Sequence, residues 1–210
     1  MTLAQLRSEV RRRLDEVNAN FWSDAYVDTA INDGYAELSD ASEWNEKSAT
    51  VTTYANQVWY DATKLTGDEF LSPRACQNPT TKYWLQGSDP LYMDTQVHPR
   101  WENIQSQPEY ILMRGLFTIG FAPKVNANST LTLYYTAMPA ALSAAADVPG
   151  FPQEFHYGIV EYALYDLLCQ DAETDKALIH WKQYQEYEGA LVARVNDRTA
   201  RPRVTTLRRG

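Results

Sequence analysis

Apolar positions three and four residues apart open the chain. Leu3, Leu6, Val10, Leu14 and Val17 fall on one helical stripe, and Thr2 with Gln5 forms a capping-box signature ahead of it. A second stripe follows a short polar turn. Val27, Ala30, Ile31, Gly34 and Leu38 share one face, Ser23 is placed to cap, and Trp22 with Val27 has hydrophobic-staple spacing. Asp24 and Asp28 put negative charge at the positive end of the helix dipole. Together these predict an αα-hairpin. Gly34 is unfavourable in a helix interior by about 1 kcal/mol relative to alanine. It is either tolerated or marks the close approach of another helix.

The period changes after about Asn45. "SATVTTYANQVWYDATKL" has β-branched and aromatic residues around a polar turn and predicts a hairpin. From Gly67 to Pro108 the chain is rich in Pro, Gly, Asn and Asp, which predicts loop-rich β structure. "EYILMRGLFTIGFAP" near-alternates around Gly115 and "STLTLYYTAMP" alternates cleanly. The turn residues "KVNAN" between them predict a further antiparallel hairpin. Pro139 ends it, and "ALSAAADVPGFPQ" reads as a linker. Pro152 is placed to open a helix whose stripe includes Phe155, Ile159, Tyr162, Ala163 and Leu167. Asp171 is placed to restart the chain as a long final helix.

The order of elements predicts an α+β protein. A helical bundle body comes from both chain ends, with an inserted antiparallel β-rich module and an extended C-terminal arm. The expected boundaries are 1–45 for the N-terminal helical hairpin, 46–150 for the β-rich insertion, 151–193 for the C-terminal helices and 194–210 for the arm.

Charge adds the arm. The net charge is −8, yet from Arg194 onward six arginines face Asp197 alone, so the rest of the chain is more acidic than the total suggests. Arg198, Arg201, Arg203, Arg208 and Arg209, with Val204 and Leu207 as small apolar anchors, predict an arm that docks on an acidic partner or nucleic acid. Aromatic residues make up 12% of the chain, with 14 Tyr and 6 Trp, which suits interfaces. No apolar run approaches bilayer length and the N-terminus has no signal-peptide core, so neither membrane insertion nor export is expected. Cys76 and Cys169 are therefore expected to remain thiols, and "NST" at Asn128 to be a polar turn.

Candidate chemistry is sparse. His98, His156 and His180 have no metal-pair spacing, and His156 with Glu161 fits no zinc-helix motif. "DAETD" from Asp171 begins like a calcium loop, but Lys176 and Lys182 stand where glycine and glutamate are needed. No phosphate loop and no nucleophile elbow is present. No catalytic residue, metal or cofactor is expected. Glu69, Asp94 and Glu102 lie near Trp84, Tyr92 and Trp101 in the sequence, which leaves a glycan-binding or glycan-cleaving protein as the alternative reading.

Three stretches carry a family resemblance: "FWSDAYVDTAINDGYAEL", "PEYILMRGLFTIGFAPKVNANSTLTLYYTAMPAAL" and "DVPGFPQEFHYGIVEYALYDLL". In this order they resemble the head-to-tail adaptors of tailed bacteriophages, similar to those known in short-tailed phages as tail tubular protein A. The resemblance covers most of the chain and is weakest from Gly67 to Pro108. It implies a homo-oligomeric, dodecameric ring in the virion neck, assembled in the host cytoplasm. The ring would join the portal protein to the next tail component and surround genomic DNA without reading its sequence. Subunit packing would then involve Trp22, Val27, Ile31, Gly34, Leu38, Phe155, Ile159 and Tyr162. The arm would dock on the portal, and Trp84, Tyr92 and Trp101 would supply tail-side contacts.

Overall fold

A computed structural model describes residues 1–16, 21–67, 69–97 and 100–200, with side chains up to 197. Val17, His98 and the segment 201–210 lie outside the described residues. The helices are α1 (Leu3–Arg13), α2 (Asp24–Ser42), the short α3 (Ala62–Thr66) and α4 (Pro90–Tyr92), α5 (His156–Gln170) and α6 (Thr174–Ala200). The strands are β1 (Glu46–Thr53), β2 (Trp59–Asp61), β3 (Phe70–Gln77), β4 (Gln86–Ser88), β5 (Tyr110–Arg114), β6 (Thr118–Ala122) and β7 (Ser129–Ala137). The protein is α+β. It divides into a helical unit, Met1–Trp44 with the chain from Pro139 onward, and a β unit, Asn45–Met138.

In the helical unit the caps form as their residue types dictate. Thr2 and Gln5 make both hydrogen bonds of the capping box, at 3.3 and 2.9 Å, and the Ser23 hydroxyl accepts from the Tyr26 amide. The stripes of α1, α2, α5 and α6 meet in one core built around Leu6, Ile31, Leu38, Ile159, Leu164 and Tyr184. Gly34 marks a close crossing. A Cβ there would meet the Tyr162 Cβ at 3.0 Å and the Ile159 carbonyl oxygen at 3.2 Å, so α2 and α5 approach through the missing side chain.

The linker expected at 141–153 packs with this unit. Leu142 is buried, and the Asn32 amide holds its backbone by donating to the Leu142 carbonyl (3.0 Å) and accepting from its N–H (2.7 Å). The Leu3 amide donates to the Asp147 carbonyl at 2.8 Å. A short apolar segment whose backbone groups find helix partners gains more by packing than by staying solvated. Two end positions also differ from expectation. Pro152 precedes a 3-10 turn, Gln153–Phe155, that leads into α5, and Asp171 caps the C-terminus of α5 instead of opening α6. Helix α6 runs to Ala200, so residues 194–200 of the expected arm are helical.

The β unit holds two sheets, with strand orders β1-β7-β3 and β2-β6-β5-β4. Neither expected hairpin forms as read. β1 pairs with β7 and β2 with β6, which separates the two halves of "SATVTTYANQVWYDATKL". "EYILMRGLFTIGFAP" folds into its own antiparallel hairpin, β5–β6, because Gly115 takes φ +68° at the reversal. β7 has β1 on one edge and β3 on the other, so no edge remains for β6. The β4–β5 pair is parallel, a departure from the antiparallel expectation. Alternation still decides the faces. Val51, Leu131 and Leu133 from one sheet share a core with Ile111, Ile119 and Phe121 from the other.

Candidate assembly surfaces

Charged side chains tie α1 to the start of α2. Arg7 forks onto Asp28, donating at 2.7 and 2.5 Å. Arg11 is buried beneath the turn and donates to the Trp22 carbonyl (2.9 Å) and to Asp24 (2.6 Å). Glu16 accepts from the backbone amides of Phe21 and Trp22. These contacts present an aromatic group at the surface. Phe21 packs edge-on against Trp22, with Tyr26 beyond it, and Phe21 and Tyr26 remain 69% and 59% exposed.

A second matched cluster lies in the same unit. Glu161 is almost fully buried, pairs with Arg13 and accepts from His180 Nδ1 at 2.7 Å. Arg13 also donates to Glu9, which binds Arg12 as well, and these two guanidiniums hold the Glu9 carboxyl down at about 2. Periodicity counted Arg13 among the polar faces of α1, and Glu161 and His180 entered the sequence reading only through metal spacing. Their pairing spans 148 residues in one case and 19 in the other, so only the fold brings them together.

A third surface joins α2, α5 and α6. Tyr162, Tyr165, Trp181 and Tyr184 form a ladder of rings with centroids 4.8 to 6.1 Å apart. Asp33 and Glu37 on α2, Asp166 on α5 and Glu188 on α6 border it. Burial, reinforced by Glu37, Asp166 and Asp33, pushes the Tyr162 hydroxyl up to about 12, and burial with Asp33 raises the Asp166 carboxyl. None of these four carboxylates forms an ion pair among the described residues.

The residues expected at subunit contacts divide. Val27, Ile31, Leu38, Phe155 and Ile159 are buried in the chain's own core, and Gly34 is closed over by Tyr162. Their stripes are satisfied within one chain, so they present no surface to a neighbouring subunit. Trp22 and Tyr162 are only partly buried. In the β unit Trp84 and Tyr92 are about half exposed, whereas Trp101 is 3% exposed. The Trp101 indole donates to Asp94 at 2.8 Å and that of Trp59 to Glu102 at 3.0 Å. Both carboxylates therefore already serve as acceptors beside a cavity of about 400 Å³ lined also by Arg100 and Arg114. Glu69 is not among its lining residues. Sequence reasoning missed the most exposed apolar pair of this unit, Leu116 and Phe117 at the β5–β6 turn, 76% and 51% exposed. Their position within one presumed strand hid them.

The arm residues Arg201, Arg203, Val204, Leu207, Arg208 and Arg209 lie outside the described residues, as does the side chain of Arg198. Among the described residues no group of three His, Cys, Asp or Glu side chains is placed to hold a metal ion, and no helix is long and apolar enough to cross a membrane.

Exposed aromatics at the start of α2, an apolar hairpin tip and an acid-bordered ring ladder are the surface features of the described residues. Residues 1–209 of the chain match the family model described as SU10 adaptor protein, and the chain belongs to that family of phage head–tail adaptors. No curated protein matches it. The chain is thus a structural adaptor that associates with other structural proteins of a phage virion.

Proposed function

We propose that the protein forms a homo-oligomeric ring, dodecameric in the fully assembled neck, that joins the portal protein to the next tail component and surrounds the DNA exit channel. The observation that carries this reading is a family match spanning both units, helical and β, of a single chain. Exposed apolar groups in both units support it, since a ring subunit needs lateral contacts as well as contacts above and below. Phe21 and Tyr26 are suited to one of these, and Leu116 and Phe117 to another.

The acidic excess supports a channel that does not hold DNA. Fixed positive charge would bind phosphates and slow their passage, whereas acidic walls repel them. Electron cryomicroscopy of the virion neck tests the proposal. The expected result is a ring of this chain between portal and tail, its inner wall richer in Asp and Glu than in Lys and Arg. A single copy at the neck, or a basic inner wall, would overturn it.

A further inference from the structure

The ring ladder of α2, α5 and α6 has acids on every helix and a buried hydroxyl left over. Tyr184 is only 2% exposed, yet its hydroxyl makes no hydrogen bond among the described residues. Buried polar groups are ordinarily satisfied. Burial, then Glu188, Glu37 and Tyr162, raises its pKa, so this hydroxyl faces two carboxylates. The Tyr162 hydroxyl is likewise without a hydrogen bond among the described residues and faces Glu37, Asp166 and Asp33. Glu37 therefore acts on both tyrosines. It lies one turn after Asp33 on α2, and Glu188 lies one turn after Tyr184 on α6.

The groups present define the group that is wanted. Carboxylates only accept hydrogen bonds, and each tyrosine hydroxyl brings a single donor. The site is therefore rich in acceptors and negative charge, and none of its four carboxylates forms an ion pair among the described residues. A metal ion does not fit, because no three ligating side chains converge among the described residues. A guanidinium does fit. Its planar fork of donors matches carboxylates, and its flat face stacks on aromatic rings. Beside the acids the surface turns apolar. Leu178, 55% exposed, lies one turn before Trp181, whose ring stacks on that of Tyr184 at 5.1 Å.

We propose that this face binds an arginine side chain carried by one of the other structural proteins with which the adaptor associates. The guanidinium sits beside the Tyr162 and Tyr184 hydroxyls, between Glu37 and Glu188. The Tyr184 hydroxyl accepts one of its N–H groups, and an apolar neighbour of the arginine packs on Leu178 and Trp181. Charge complementarity selects this occupant, since an acidic or purely apolar segment would leave the carboxylates unpaired. The site rests on the association of the family with other structural proteins and not on the ring. A failure of the ring reading in electron cryomicroscopy leaves it standing, and its own failure leaves the ring standing.

The test is nuclear magnetic resonance titration of the full-length protein with the capped peptide acetyl-Leu-Arg-Leu-amide. The Trp181 indole and the Tyr184 ring should shift and saturate, and high salt should weaken binding by screening the charge pairs. Acetyl-Leu-Lys-Leu-amide should bind more weakly, because an ammonium lacks the planar fork. Glu37→Gln/Glu188→Gln should lower the affinity about fivefold or more. Tyr184→Phe, which keeps the ring and removes only the hydroxyl, should lower it as well. Absence of a saturable shift would overturn the proposal, as would equal affinity for the lysine peptide or for the acid-to-amide variant. Shifts that grow with protein concentration alone would overturn it too, by assigning the face to a second copy.

Discussion

Two charged regions of the helical unit follow opposite rules. Around α1 every arginine meets a carboxylate, and two of these groups, Arg11 and Glu161, are buried. Across α2, α5 and α6 four carboxylates border a ring ladder without forming an ion pair among the described residues. Buried charge is costly unless paired, so the first arrangement is what a fold requires of itself. Unmatched like charge at a partly exposed face costs the fold something and is retained where a partner supplies the missing sign.

The most severe test of this contrast is Arg13→Ala. It strands Glu161 with only neutral or partial partners and should cost about 2 to 3 kcal/mol, less than a wholly orphaned charge because His180 still donates. Urea unfolding measures it. A loss no greater than that of an exposed ion pair would mean that the matched cluster is not structural. The double variant Arg13→Met/Glu161→Leu should regain most of the loss, since an apolar pair can replace a buried ion pair.

Gly34→Leu probes the floor of the unmatched face. The added side chain has no room against Tyr162 and Ile159, and overpacking should cost about 1 to 3 kcal/mol. Unchanged thermal stability would show that α2 and α5 separate freely there.

Acid should affect the two regions in opposite directions. Glu9 has its folded-state value lowered from 4.5 to about 2, so its contribution is full above about 4.5 and is lost as pH falls toward 2. Asp166 has its value raised, so it weakens the folded state as pH climbs through that raised value and stops doing so once protonated. At high salt, where outside charges are screened, Asp166→Asn should stabilise the neutral protein by about 0.5 kcal/mol. Glu9→Gln should flatten the acid limb of the stability curve. Urea midpoints from acid to neutral pH read both, and parallel curves for the two variants would erase the distinction.

The smallest effect is chemical. Burial pushes the Cys76 thiol up to about 12, whereas Cys169 is exposed near the ladder. A maleimide at neutral pH should add once, at Cys169, without change in stability. Peptide mapping that finds Cys76 labelled would show that the β-unit core opens.

Much of this was legible in the chain itself. The four long helices follow from apolar periodicity and from Thr2, Gln5 and Ser23, because caps and stripes depend on neighbours within a few residues. Strand pairing was not legible. β7 chose β1 and β3, whose paired residues lie 76 to 90 and 55 to 67 positions away in the chain, and alternation specifies a face but not a partner. The exposed pair Leu116 and Phe117 was hidden for the same reason, since recognising the tip required knowing that Gly115 reverses the chain.

By itself the sequence determined the α+β order, the capped helices, the core faces and the gathering of arginine after Arg194, all of which are local or compositional. Only the tertiary structure decided that Gly34 faces Tyr162, that the segment after Pro139 rejoins the helices, and that Glu161 meets Arg13. It also decided that the acids of three helices share one aromatic face. These are long-range meetings, whose cost in chain entropy is offset only when a whole core closes at once, and no short window of residues records that outcome.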